Sequence, residues 1–288
     1  MELDEECKGC LYGSQMHKVE STQTDAEKLA EFKKQVKLLC ENPPAHYCAP
    51  ILMRDINGIH RKIFGADIDY TREKSLFNRA LSALEERLFS EIMQSSDPVA
   101  AALKFAMAAN YIDFARMSDL NEGAVEYVIS AARRAVPNAE TLESFKEKLK
   151  KANSLCVLHD NCGEIVLDKI LIRVIKRLYP EIKVTSVVRG RPIINDVTAA
   201  DAEEVGLYGY AEVVDNGTDV AGTYLKEVRP EVKRLLETSD VILSKGLGNL
   251  ETLYGEGYKI FYAFTCKCKH VSRRFNAPLF SAVFAEEL

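Results

Sequence analysis

Four apolar runs in the second half of the chain each end in residues that can do chemistry. Leu155-Cys156-Val157-Leu158 leads into His159-Asp160-Asn161-Cys162-Gly163-Glu164, and Val184 to Val188 leads into Arg189-Gly190-Arg191-Pro192-Ile193-Ile194-Asn195-Asp196. Val213-Val214 is followed by Asp215-Asn216-Gly217-Thr218-Asp219, and Val241-Ile242-Leu243 by Ser244-Lys245-Gly246-Leu247-Gly248-Asn249. If the runs are parallel strands, all four polar sets gather at one edge of a sheet, where loops converge and helix N-termini present unpaired N–H groups. Asp160 and Asp196 then share a site. Two ionised carboxylates about 4 Å apart repel by roughly 4 kcal/mol at an effective dielectric near 20, so a proton or a cation must fill the gap. Asn161 adds a neutral oxygen, and an all-oxygen set favours a hard divalent ion such as Mg²⁺ or Mn²⁺. Lys245 brings positive charge from a neighbouring strand, and an ion beside a lysine and glycine-flanked helix starts suits a phosphoryl group. Each feature alone has a plainer reading: Asp160 and Asp196 as helix caps, Asn216-Gly217 and Gly246 as turns, Lys245 as a solvated charge. Their coincidence at four strand ends favours a site.

The elements that must position these residues follow from pattern. Up to about residue 150 apolar residues recur at three- and four-residue spacing, the signature of helices. Leu76, Ala80, Leu81, Leu84, Leu88 and Ile92 read as one helix face, and Asp97-Pro98 supplies the N-cap and first-turn proline of the next helix. That helix is apolar nearly all round, as a buried helix is. After Lys146 to Lys151 short β-rich runs alternate with helical segments. Strands are predicted at 154–158, 183–188, 211–214, 240–244 and 259–264, with a sixth at 279–284, and a helix over 163–179. The expected fold is α/β: a three-layer α/β/α unit over 151–288 with a mainly parallel sheet, preceded by a helical N-terminal domain over 1–150.

Length and composition agree. At roughly 150 residues per domain, 288 residues allow two domains or one large one. With 47% apolar and 28% charged residues the chain has a globular composition, which excludes disorder and collagen-like repeats. A net charge of −5 leaves no broad basic field for nucleic acid or anionic lipid. The apolar runs fall far short of the roughly 20 residues that span a membrane. The acidic start Met1-Glu2-Leu3-Asp4-Glu5-Glu6 is unlike a secretory signal, so a cytoplasmic protein is expected.

The sequence resembles the metal-dependent damage-control phosphatase family, first catalogued as a domain of unknown function and also linked to a claimed carboxyl methyltransferase activity. The resemblance spans nearly the whole chain. It rests on Asp160-Asn161 with Gly163-Glu164, Arg189-Gly190-x-Pro192-x-x-Asn195-Asp196, Asn216-Gly217-x-Asp219 with Gly222, and Ser244-Lys245-Gly246-x-Gly248-Asn249. In the helical half Lys74, Asn78, Asp97-Pro98 and Ala108-Ala109-Asn110-x-x-Asp113-Phe114 also match, with Ala109 where the family commonly has glycine. Cys7-x-x-Cys10 is similar to the archaeal branch. The resemblance implies hydrolysis of small phosphorylated metabolites, sugar phosphates among them, with Mg²⁺, Mn²⁺, Co²⁺ or Ni²⁺ held by Asp160, Asn161 and Asp196. It further implies phosphate or substrate contacts from Lys245, Asn195 and Gly217, with Asn110 and Asp113 reaching in from the helical half. The attacking group is a metal-activated water or Asp160 itself, and Glu164 serves as base, as support or only as a helix-dipole partner.

Other signals compete. Cys7, Cys10, Cys266 and Cys268 would together supply four thiolates for Zn²⁺ or an iron–sulfur cluster, free thiols being the alternative. Cys162 with His159 would make a thiol nucleophile and base, whereas packing is the plainer role for Cys156 and Cys162. An S-adenosylmethionine-dependent carboxyl methyltransferase fits an α/β fold but lacks a glycine-rich turn after the first strand. A noncatalytic metal-binding protein could use the same ligands.

Overall fold

The structure, a computed structural model, describes residues 1–67, 69–108 and 122–288, the last segment without the side chains of 122–125. Asn110 and Asp113 lie outside the described residues. The strands are β1 (Ser154–Leu158), β2 (Lys183–Val188), β3 (Glu212–Asp215), β4 (Val241–Lys245), β5 (Ile260–Thr265) and β6 (Ala282–Glu287). Their order across the sheet is β3-β2-β1-β4-β5-β6, parallel except for β6, which runs antiparallel to β5. The chain moves outward one way from β1 to β3 and the other way from β4 onward. A switch point therefore falls at the carboxyl ends of β1 and β4, where open α/β sheets bind ligands.

Thirteen helices are described: α1 (Glu5–Thr22), α2 (Ala26–Glu41), α3 (Ala49–Phe64), α4 (Thr71–Ser82), α5 (Glu85–Met93), α6 (Pro98–Ala108), α7 (Glu122–Arg134), α8 (Ala139–Lys151), α9 (Glu164–Leu178), α10 (Ala199–Glu204), α11 (Pro230–Thr238), α12 (Gly246–Leu253) and α13 (Lys269–Phe275). The central strands are buried on both faces, which is why they read as continuous apolar runs. Leu155 and Val157 of β1 face a layer built from α4 to α10, whereas Cys156 and Leu158 face α11 to α13. The result is the expected mainly parallel three-layer α/β/α arrangement with a helical N-terminal region.

The predicted strands lie within one residue of those observed, except the sixth. There Phe280, at φ +61°, donates its N–H to the Cys266 carbonyl in a turn, and pairing begins only at Ala282. Asp240 precedes β4 because its carboxylate accepts the backbone N–H groups of Asn153 and Ser154 at 2.8 and 2.9 Å. The stretch from Leu76 to Ile92 is two helices, not one: the chain turns at Ala83-Leu84, and Leu76 is 44% exposed. Asp97 caps α6 as predicted, accepting the Ala100 N–H at 3.0 Å. Helices give way to strands near residue 150, yet a single apolar cluster joins α4 to α8 with α9 and the sheet. Helices α1 to α3 share a separate cluster around Phe32, Val36, Leu52 and Ile56. Among the described residues no helix is long and apolar enough to cross a membrane.

One polar tie fixes the start of α9 to the helical half. Asn78 on α4, fully buried, accepts the Gly163 N–H at 2.7 Å and donates to Glu204 at 2.8 Å. Asn78→Ala orphans a buried donor and is expected to lower unfolding free energy by about 1–3 kcal/mol, read from urea denaturation. An unchanged midpoint would show that the tie carries no stability.

Candidate functional site

Backbone pairing brings Asp160 and Asp196 together. After β1 and β2 the two loops are joined: Val197 N–H donates to the Asp160 carbonyl at 2.9 Å, Cys162 N–H to the Asn195 carbonyl at 2.9 Å, and Asn161 and Asp196 form an isolated antiparallel bridge. Both carboxylates face one guanidinium. Arg189 Nε donates to Asp196 Oδ2 at 2.7 Å, and Nη2 lies 3.6 Å from Asp160 Oδ1. Asn161 Nδ2 donates to Asp160 Oδ2 at 2.7 Å and to Glu164 at 3.3 Å. Burial, then the neighbouring charges of Asp196 and Glu164, push Asp160 up to about 8 in spite of Arg189. Burial likewise raises Asp196, with Arg189 opposing. Neither aspartate is a helix cap.

Lys245 is fully buried, which removes the solvated-charge reading. It donates to the Ala106 carbonyl at 2.7 Å, Glu164 at 2.7 Å and Asp168 at 2.6 Å. Those acceptors match the three N–H groups an ammonium has. Burial alone would discharge it, but Asp168 and Glu164 hold it above the ordinary lysine range. For Asp168 burial is outweighed by Lys245 and His159, and its carboxyl stays below the usual range. His159 is bound on both sides, Nδ1 3.0 Å from Asp168 and Nε2 3.0 Å from the Ser186 hydroxyl. It is thus no base for Cys162, whose buried thiol is pushed well above its ordinary value.

Three residues outside the expected site complete it. Asp168 lies one helical turn beyond Glu164, a spacing that places both on one face of α9 and was visible in the sequence. Arg189 is the first residue after β2. Asn249, fully buried, accepts from Arg189 Nη1 at 3.2 Å and Thr223 at 2.8 Å, and donates to the carbonyls of His159 and Lys245 at 3.0 and 2.8 Å, joining the ends of β1 and β4. Gly246 must lack a side chain: it sits at φ +76°, and a Cβ there would meet Asp160 Oδ2 at 1.9 Å. Asn195 contributes its carbonyl to the loop pairing, and Gly217 donates its N–H to Asp215 at 3.0 Å in the turn after β3. Beside the Asp196 loop runs a cleft of about 390 Å³ lined by Tyr70, Lys74, Ile193, Ile194, Thr198 and Asp201, but not by Asp160 or Asp196.

The donor chemistry fits a divalent cation at Asp160, Asn161 and Asp196. Four buried carboxylates, Asp160, Glu164, Asp168 and Asp196, lie around the buried cations Arg189 and Lys245, with Lys74 near Asp196, so carboxylates outnumber the cations. Oxygen donors with that excess suit a hard dication. Among the described residues no cluster of three or more His, Cys, Asp or Glu side chains is placed to hold a metal, so the candidate set is two carboxylates and an amide. Cys7, Cys10, Cys266 and Cys268, all free thiols, form no such cluster either, although the chain ends do meet, with His270 2.9 Å from Asp4.

Gly246→Ala is expected to displace the Asp160 carboxylate and destabilise the fold by about 2 kcal/mol or more, measured by thermal unfolding; an unchanged midpoint would refute the close packing. Titration gives a second expectation. Asp160 keeps its proton up to about 8 in the folded chain against an ordinary 3.8, so the stability it confers is complete below 3.8 and lost as pH rises through 8. With divalent ions chelated, the melting temperature should fall between about pH 4 and pH 8 and level off above that, and Asp160→Asn should flatten the fall.

The fold has known counterparts. The family model described as the damage-control phosphatase ARMT1-like domain matches residues 3–283. A protein of Archaeoglobus fulgidus named damage-control phosphatase is 29% identical over 286 residues, 95% of each chain. The damage-control phosphatase PH1575 of Pyrococcus horikoshii is 33% identical over 178 residues, 62% of this chain and 61% of its own. The crystal structure of that DUF89 family protein matches the whole of both chains with a TM-score of 0.83 at 26% identity. With a family model covering nearly its full length and a fold shared end to end, the chain belongs to the ARMT1-like damage-control phosphatase family.

Proposed function

We propose that this protein is a divalent-metal-dependent phosphatase acting on small phosphomonoesters, sugar phosphates among them. The observation that carries the reading is the pair of buried aspartates at the switch point, held against one guanidinium with negative charge in excess. Family membership supports the phosphatase chemistry. Asp160, Asn161 and Asp196 would hold Mg²⁺, Mn²⁺, Co²⁺ or Ni²⁺, which when bound supplies charge neutralisation at the phosphoryl oxygens.

The chain's own residues do the rest. Gly246 leaves room for Asp160, the paired loops after β1 and β2 fix both carboxylates, and Lys245 holds Glu164 and Asp168 in place. Hydrolysis breaks the bond from phosphorus to the ester oxygen and forms one to a water oxygen, either directly or through Asp160. The departing alcohol takes up a proton.

The test is phosphate release from sugar phosphates and a chromogenic aryl phosphate with each of the four metals. Asp160→Asn and Asp196→Asn are expected to lower kcat at least about a thousandfold, while the metal-free melting temperature of Asp160→Asn is kept or raised because a buried carboxyl that resists ionisation becomes a neutral amide. Release of phosphate that persists in both variants would refute the reading. Consumption of S-adenosylmethionine without phosphate release would point to the methyltransferase, and metal binding without turnover to a binding protein.

A further inference from the structure

We propose that Arg189, and not Lys245, grips the oxygens of the phosphoryl group being transferred, with Lys245 acting as a positioning residue. The inference rests on the phosphatase reading above and assigns the oxyanion contact within it. Lys245 has no N–H left to give: its three donors go to Ala106, Glu164 and Asp168 inside the protein. Swinging it toward a substrate would take the ammonium away from two buried carboxylates and break a hydrogen bond to a buried carbonyl.

Arg189 is placed differently. Its Nε is held by Asp196 at 2.7 Å and its Nη1 by Asn249 at 3.2 Å, which fixes the plane of the fork. The third corner, Nη2, is buried and has no hydrogen-bond partner. It lies 3.6 Å from Asp160 Oδ1, beyond hydrogen-bond length, so it is aimed at the site without being consumed there. Buried charged donors are nearly always satisfied, and one left open beside a reacting centre is a donor prepared for an incoming acceptor. The acceptor must be small, anionic and rich in oxygen to enter beside two carboxylates, as a tetrahedral phosphoryl group is. A planar guanidinium can keep Asp196 and Asn249 on two corners while offering the third; an ammonium cannot hold that geometry. During hydrolysis Arg189 gains and loses no atoms.

The test compares wild type with Arg189→Lys in the full chain at saturating Mn²⁺, titrating inorganic phosphate and orthovanadate calorimetrically. The variant should bind both ions at least about tenfold more weakly, and kcat should fall about 10²- to 10³-fold. Its Mn²⁺ affinity should stay within about threefold, because the charge is retained. A purely structural arginine would instead lower the melting temperature and Mn²⁺ affinity and leave anion affinity intact. A folded variant that binds phosphate as wild type does overturns the proposal. Should the variant not fold, a crystal structure of wild type with orthovanadate decides: an oxygen within about 3.2 Å of Arg189 Nη2 supports it, and one on Lys245 instead overturns it. If wild type hydrolyses no phosphate ester, the phosphatase reading falls, yet the anion-binding comparison still answers for Arg189. Wild type that binds neither ion overturns the proposal as well.

Discussion

Negative charge packed into a nearly dry space at the carboxyl ends of β1 and β4 governs this molecule. Asp160, Glu164, Asp168 and Asp196 are all buried, with Arg189 and Lys245 bound among them and Lys74 close to Asp196. Ionised together, two carboxylates about 4 Å apart would repel by roughly 4 kcal/mol, and burial with the neighbouring charges instead keeps a proton on Asp160 up to about 8. Such a cluster survives only if the fold determines it from several directions. It does: loops after two strands pair their backbones, Asn249 joins two strand ends, and Gly246 gives up a side chain so that Asp160 can fit. Strain concentrated this way marks a functional site more often than a packing accident.

The charges divide into two tiers. The inner tier runs from Ser186 through His159 and Asp168 to Lys245 and Glu164, and hydrogen bonds link every member to the next. It is rigid because moving one member strands its neighbours. The outer tier, Asp160, Asn161, Asp196 and Arg189, is less complete: Asp160 keeps an elevated affinity for a proton, and Arg189 keeps a donor without an acceptor. Glu164 belongs to both tiers, since Lys245 and Asn161 both donate to it. Support below and unmet demand above is how a protein builds a place for a cation and an anion together.

What the sequence disclosed follows from which interactions are local. Strands buried on both faces leave continuous apolar runs, so β1, β2, β4 and β5 were legible, and with them the polar residues beyond their ends. The two aspartates could be assigned to one place because strand order alone puts them there. The partners of Lys245 could not. Glu164 and Asp168 share a helical face, but which strand that face meets is a tertiary fact, and Lys245 looked equally suited to facing a substrate. Arg189 stood in a recognised loop, yet a hydrogen bond that is not made leaves no trace in a sequence. The break at Ala83-Leu84 escaped because apolar spacing continues across it, with Leu81 and Leu88 both buried. The chain ends approach each other, as the cysteine pattern required, but proximity of ends does not set four thiols around one metal.

The helical half is part of the site's foundation. The carbonyl that accepts one N–H of Lys245 belongs to Ala106, on a helix whose alanines let it lie close to α9. The side chain that meets the first N–H before α9 belongs to Asn78, and the ammonium facing Asp201 beside the Asp196 loop belongs to Lys74 at 2.6 Å. Each contact joins a helix of the first half either to Lys245 or to a residue within about five positions of a site carboxylate. A shift of α4 or α6 would therefore move charge in the cluster before it opened any apolar packing. The same dependence explains why the apolar cluster continues across residue 150 without a seam: a buried ion network tolerates little relative motion between the layers that supply its members.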